Sequence, residues 1–518
     1  MTYKVYAPNV HLFAFHLRDD SSSDNYDNKL LWHKCQEIFQ RFEISQELKI
    51  RDVAPDRRVD LLEKATDTNI FLPLEGAIIL DTTQKTRVTG IACPLQIYDS
   101  YALALNLRID EYDRSQNKTE AVDISILKNF NPNNCFLPKN INSSLGQTLL
   151  LTAWLSPDQQ QDATLWREIA NQCVRNFCEQ KEESPQLYQE GLLFDSPIFE
   201  YANPNSAHGY EHILVWLFFS EEEEQYYAKA DANLGSFYQE FIDLFFYRNK
   251  VIKAYHISRD VYSDIYNLYK EFKQTVHEIA NIKSIGNSSL VPNTNRDLSP
   301  EIKRTSPQNK IVPTMSPDNN LTVSNTITGL SNIELKNYKN KLSIFPLLDL
   351  QYSEYLTEFD KYRLTIETNT KNYAEKLRQI QEKSANENLQ FLSNFDQIIS
   401  IKFSNQIQTD LGYFANTPGL IDKAITSIRG IVEIEQAERD RSLENTIQRL
   451  GIAFGGGAIV SGVVTQHIDK PFAPGIINFK YPIHPLASSL LLSFLATTFF
   501  WVLAWLFTKP KRKRNKRS

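Results

Sequence analysis

Apolar residues recur along this chain with two periods, and the change from one to the other orders it. In residues 1–230 the clearest signal has a period of two. Tyr101, Leu103, Leu105, Leu107 and Ile109 alternate with smaller or polar residues, the pattern of a strand whose sheet has unequal faces. Residues 3–17, 69–81, 87–98 and 191–201 also read as extended, and 212–219 (HILVWLFF) reads as a fully buried strand. Residues 30–42 and 166–178 carry helical spacing instead. Strands interleaved with helices predict an α/β or α+β domain with a mixed sheet over 1–230.

After this the period becomes helical. Ser220 with Glu223 forms a capping-box pattern, and the acidic run around it suits the positive end of a helix dipole. Val261, Ile265, Leu268, Phe272, Val276 and Ile279 draw one apolar stripe down a long helix over 231–283. Residues 284–328 are rich in Pro, Ser, Asn and Thr, with little to bury, and predict a disordered linker. A second capping box, Ser331 with Glu334, restarts the helix, and Pro346 is expected to break or kink it. Tyr352, Phe359, Ile366, Tyr373 and Ile380 then recur every seven residues, the seam of a helical bundle or coiled-coil stalk over 329–449. Residues 416–419 signal a turn. Ile421, Ile425, Ile428 and Val432 mark the buried face of the next helix, with Glu435 and Arg439 as a favourable pair on it.

Two uncharged apolar runs follow. Residues 450–465 are rich in glycine, and 486–507 hold 22 residues without a charge. The second would span about 33 Å as a helix, enough for a bilayer core. The pattern predicts transmembrane helices at 450–468 and 486–507, an external loop at 469–485 and a basic tail at 508–518. Gly451, Gly455, Ala458 and Gly462 share one face of the first run and suit close helix packing. Ser461, Thr465 and Gln466 would offer oxygens to a pore, since neither run holds an acidic residue. Phe499, Phe500, Trp501 and Trp505 fit an aromatic belt.

Charge sharpens this picture. The chain of 518 residues has a net charge of −6, but the last ten residues carry +7, leaving −13 on residues 1–508. An acidic body of this kind has no general affinity for nucleic acid. Lys509, Lys511, Arg512, Lys513, Arg514, Lys516 and Arg517 are expected to meet anionic lipid headgroups. Arg439, Arg441 and Arg449 precede the first run, so the positive-inside rule places both ends in the cytoplasm of a multi-pass protein of an inner or plasma membrane. Cys35, Cys93, Cys135, Cys173 and Cys178 lack zinc spacing and read as free thiols of a reducing compartment. The first residues, MTYKVYAPNV, do not form a signal peptide.

Candidate chemistry is sparse. The sequence holds no Walker loop, GxGxxG, HExxH, GxSxG or CxxC, and points to no cofactor and no catalytic residue. The acidic loop at 19–27 lacks the glycine and terminal glutamate of a calcium loop. His467, Asp469 and His484 flank the predicted external loop as a weak metal collar, though isolated loop residues of this kind are ordinarily solvated.

A cytoplasmic mixed α+β domain, a long helix entering a first span, a short loop, a second span and a basic tail together resemble the CorA-type divalent-cation channels. The resemblance is architectural and best over 330–518. It implies a homo-oligomer whose cytoplasmic helices gate a pore. The family's Gly-Met-Asn signature is absent: the only methionines are Met1 and Met315, and the matching position reads Thr465-Gln466-His467-Ile468-Asp469. Two functions therefore stand side by side. One is an oligomeric ion channel or transporter. The other is an anchored sensor, signalling or effector protein whose N-terminal domain binds a ligand or partner.

Overall fold

The computed structural model describes residues 3–19, 27–53, 58–63, 70–80, 84–178, 185–202, 204, 211–219, 228–285, 331–384, 387–467 and 485–507. Its strands are β1 (Lys4–Leu17), β2 (Arg58–Asp60), β3 (Leu72–Ile79), β4 (Lys85–Ile97), β5 (Ser100–Arg108), β6 (Val122–Asp123), β7 (Gly146–Trp154), β8 (Leu187–Leu193), β9 (Ser196–Tyr201) and β10 (Glu211–Phe218). Its helices are α1 (Leu30–Arg41), α2 (Pro138–Ile141), α3 (Pro157–Gln160), α4 (Ala163–Phe177), α5 (Lys229–Ser236), α6 (Tyr238–Ile285), α7 (Asn332–Lys383), α8 (Gln390–Asn394), α9 (Ser400–Phe414), α10 (Thr417–His467) and α11 (Pro485–Phe507). The chain divides into two compact units, Met1–Leu268 with Tyr352–Asn416, and Tyr269–Gln351 with Thr417–Ser518.

The first unit is built on one mixed sheet, ordered β2-β4-β5-β1-β7-β10-β9-β8, with β3 added to β4 and β6 to β1. β10 lies parallel to β7, whereas β1, β5 and β9 pair antiparallel with their neighbours. The β8–β9 hairpin closes with Leu193 opposite Ser196, and the two residues between, Phe194 and Asp195, both have positive φ. That is the backbone twist a two-residue hairpin needs.

The unequal faces expected of 101–109 are present. Leu103, Leu105 and Leu107 join Val10, Leu12, Leu149, Leu151, Ile213 and Val215 in a core closed by α1 and α4. On β5 the opposite face is small or polar, with Ala102, Ala104 and Asn106, and the neighbouring strands bring Phe13, Phe15, Thr148, His212 and Trp216 to the same side. Large rings from α6 fill the space left there. Phe13 lies 5.0 Å from Phe245 and 5.5 Å from Tyr238, Phe15 lies 5.6 Å from Phe246, and Trp216 lies 6.2 Å from Phe241, centroid to centroid. Beyond α6 comes the seven-residue seam of α7, whose five members are at most 2 % exposed. The Tyr352 hydroxyl donates to the Phe414 carbonyl at 3.2 Å, the Tyr373 hydroxyl donates to the Leu392 carbonyl at 2.9 Å, and Tyr255 stacks on Phe403 at 3.8 Å. α8 passes into a π-helical turn, Phe395–Ile399, before α9.

The second unit is helical. Its capping box forms as expected: Ser331 Oγ accepts from the Glu334 amide at 3.3 Å, and Glu334 Oε2 accepts from the Ser331 amide at 2.9 Å. Phe272 meets Phe345 at 5.7 Å, and Lys341 pairs with Glu278 at 2.6 Å. α7 runs through Pro346 without ending there, so the expected break is absent. A proline removes one backbone bond, which a 52-residue helix packed on both sides of it tolerates. The buried face of α10 is Ile421, Ala424, Ile428 and Val432, with Ile425 at its border.

The two-span expectation is corrected. Among the described residues no helix is long and apolar enough to cross a membrane. The transmembrane helices at 450–468 and 486–507, and the multi-pass placement with both ends cytoplasmic, are therefore withdrawn. Of the predicted linker at 284–328, residues 284 and 285 end α6; residues 286–328, most of the loop at 469–485, the tail at 508–518 and the capping box at Ser220 lie outside the described residues.

Candidate functional site

The most chemically dense place in the first unit is a buried polar cluster between the sheet and α6. Parallel pairing sets His212 of β10 directly beside Thr148 of β7. Antiparallel pairing sets Glu200 of β9 beside Leu214, two residues further along β10. Consecutive residues of α6, Arg248 and Asn249, reach down onto this face. His212 and Arg248 are each 3 % exposed, and Thr148 is wholly buried.

The bonds fix the protons. Asn249 Nδ2 donates to Thr148 Oγ1 at 3.1 Å and to the Phe245 carbonyl at 2.8 Å. Thr148 keeps its own hydroxyl proton to give, and His212 Nδ1 lies 2.8 Å away to accept it. The proton of neutral His212 then sits on Nε2. Arg248 Nη2 donates to Glu200 Oε1 at 2.6 Å. His212 Nε2 lies 3.2 Å from the same oxygen but is not aligned to donate to it. Gly146 opens β7 with φ +96°, and a Cβ there would stand 2.9 Å from Asn249 Oδ1, so only glycine leaves the amide its place.

Burial, reinforced by the charge of Arg248, lowers the His212 pKa to about 4 and keeps the ring neutral. Burial alone would raise Glu200, but Arg248 and His212 together outweigh it and hold the carboxyl below its usual range. The cluster is thus one ion pair beside a neutral imidazole, a balanced set for a dry interior. It borders a cavity of about 20 Å³ lined by Tyr188, Glu200, His212, Arg248, Tyr373 and Phe395. Arg248 lies 5.3 Å over the Phe395 ring, which belongs to the π-helical turn. Hydroxyl, imidazole and carboxylate follow one another as in a nucleophile–base–acid series. Thr148 does not line the cavity, and the cavity is water-sized.

A larger concavity, about 460 Å³, lies on the surface between α4 and the β8–β9 hairpin, lined by Trp166, Arg167, Glu190, Leu192, Pro197 and Phe199. Arg167 and Glu190 pair across it, with Arg167 Nε donating to Glu190 Oε2 at 2.8 Å. Its volume falls in the range of ligand pockets.

The residues expected from sequence lie elsewhere. Gly451, Gly455, Ala458 and Gly462 form an exposed face of α10, and a Cβ at Gly451 or Gly455 would meet nothing within 4 Å. The small residues that meet α11 are Gly456 and Gly457, where a Cβ would overlap the Phe500 ring and the Thr497 side chain. Ser461 is half-buried on α10. Thr465 and Gln466 belong to the same helix, but their side chains, with those of His467, Asp469, His484 and the seven basic residues of the tail, lie outside the described set. Among the described residues no group of three or more His, Cys, Asp or Glu is placed to hold a metal ion. All five cysteines are buried, and burial pushes Cys135 and Cys173 up to about 12.

Sequence reading missed Thr148, Glu200, His212 and Arg248. A faint signal exists: His212 opens an otherwise apolar strand, and Arg248-Asn249 interrupts the apolar stretch of α6. Their meeting depends on pairings between residues far apart in the chain. No family model, no curated protein and no solved structure matches this chain. With no such match and no membrane-crossing helix among the described residues, the resemblance to CorA-type channels is withdrawn as well.

Proposed function

We propose that this chain is a binding protein of the sensor, signalling or effector kind, which assembles with copies of itself through its helical unit. The observation that carries the reading is on α10. Gly451 and Gly455 are exposed with open space before them, and exposed Ile452, Phe454 and Ile459 flank them. A face with no side-chain bulk bordered by large apolar groups suits close approach of another helix, and exposed apolar patches of this kind mark interaction sites. Among the described residues the cavity at the buried polar cluster is water-sized, which supports a binding role over a catalytic one at that place. A ligand of the first unit is best accommodated by the groove beside Trp166 and Leu192.

The test is light scattering with cross-linking on the full chain, wild type against Gly455→Leu. The wild type is expected to be oligomeric. Leucine at the close approach should weaken the assembly by about 1–2 kcal/mol through overpacking, roughly a ten-fold rise in the dissociation constant. A strictly monomeric wild type, or an assembly indifferent to Gly455→Leu, overturns the proposed interface.

A further inference from the structure

We propose that the cavity beneath the π-helical turn is a built site for one neutral, water-sized molecule, water itself, which bridges Arg248, His212 and Glu200. Two observations meet there. The cavity, about 20 Å³, exceeds the roughly 10–15 Å³ that one water needs. Two of its lining side chains, both at least nine-tenths buried, carry nitrogens without a hydrogen-bond partner, Arg248 Nη1 and His212 Nε2. A buried guanidinium N–H left unsatisfied is costly, so a site that closes around one is made for an acceptor.

Charge and proton count select the occupant. The hydrogen bond between Thr148 and His212 Nδ1 leaves Nε2 a donor, so the cavity offers two donors. Glu200 supplies an acceptor on the same wall. An anion would satisfy both donors and be repelled by the Glu200 carboxylate. A cation would meet Glu200 and be repelled by Arg248. Water accepts from both nitrogens and donates to the carboxylate, the three bonds usual for a buried water. Bridged in this way, α6 is tied to β9 and β10 through the occupant as well as through the direct Arg248–Glu200 pair. The inference stands apart from the oligomer proposed above, since every residue in it belongs to the first unit.

The experiment is ¹⁵N-histidine NMR on the full chain at pH 7. His212 is assigned from the spectrum of His212→Asn or, should that variant not fold, by through-bond connectivity to its own backbone. The expected result is a His212 ring protonated at Nε2 and bare at Nδ1. Its Nε2–H should show a rotating-frame cross-peak to a water that exchanges slowly with bulk. Sodium formate and ammonium chloride, each titrated to high concentration, should move neither ring signal saturably. A ring protonated at Nδ1, a missing water cross-peak, or a saturable shift with formate or with ammonium each overturns the proposal, the last two replacing water by an ion.

Discussion

At the scale of single residues the chain keeps two histidines neutral by burial, and this makes acid sensitivity a property of the first unit. Burial, with Arg248 second, lowers His212 to about 4, and burial, with Arg108 second, lowers His11 to about 3. Both would titrate near 6.5 in the unfolded chain. Because the unfolded state binds these protons first, their contribution is complete above about pH 6.5 and is lost as pH falls from there, toward 4 for His212 and toward 3 for His11. For His212 the loss approaches about 3 kcal/mol. Glu200, held low in the fold, acts in the same direction at still lower pH, losing its contribution as pH falls through its folded value. Thermal unfolding followed by near-UV circular dichroism should therefore show a falling midpoint from pH 7 to 4.5. His212→Asn, whose amide oxygen still faces Thr148, should flatten that dependence by about one proton. An unchanged midpoint across this range would mean that the two rings are not held neutral by the fold.

At the scale of elements, position along a helix decides how much a residue matters. Phe359 sits on the α7 seam, wholly buried, with the Arg259 guanidinium 5.5 Å over its ring and Arg259 itself paired to Asp410 at 2.6 Å. Phe359→Ala removes the buried ring beneath the Arg259 guanidinium and should destabilise by about 3–5 kcal/mol. Ser331→Ala removes one exposed cap at the other end of the same helix and should cost about 1 kcal/mol. Urea unfolding of the two variants should separate them by several-fold in free energy. Equal effects would mean that the seven-residue seam does not carry the packing of α7. The π-helical turn at Phe395–Ile399 belongs to this scale as well: its extra residue brings Phe395 against Arg248 and Tyr373, the latter at 5.1 Å.

At the scale of the whole molecule the division into units does not follow chain order. The first unit takes Met1–Leu268 and then Tyr352–Asn416, so its boundaries fall within α6 and α7. No single cut releases one unit from the other, yet a chain ended after Asn416 retains every residue of the first. That truncated chain is expected to keep the near-UV signal of Trp154 and Trp216, both fully buried in the first unit, and to be monomeric because α10 is gone. Loss of the tryptophan signal would show that the first unit depends on α10 or α11. A truncated chain that still oligomerises would move the assembly surface to the first unit.

The sequence by itself determined the elements whose patterns are local. The period-two stretch at 101–109, the capping box at Ser331 and the seam from Tyr352 to Ile380 are visible because side chains i and i+2 on a strand, or i and i+7 on a helix, share a face whatever surrounds them. Only the tertiary structure decided what those faces meet. Alternation marked the two faces of the sheet, but the filling of the smaller one by Phe241, Phe245 and Phe246 depends on where α6 crosses it. The stripe at Gly451 and Gly455 was legible, whereas the contact with α11 lies one step around the helix at Gly456 and Gly457, a rotation set by the partner's rings. Hydropathy alone suggested two spans, and among the described residues no helix is long and apolar enough to cross a membrane. The buried cluster was least legible of all. Thr148, Glu200, His212 and Arg248 come from four elements, and a charge goes into a core only where long-range pairing brings its counter-charge with it.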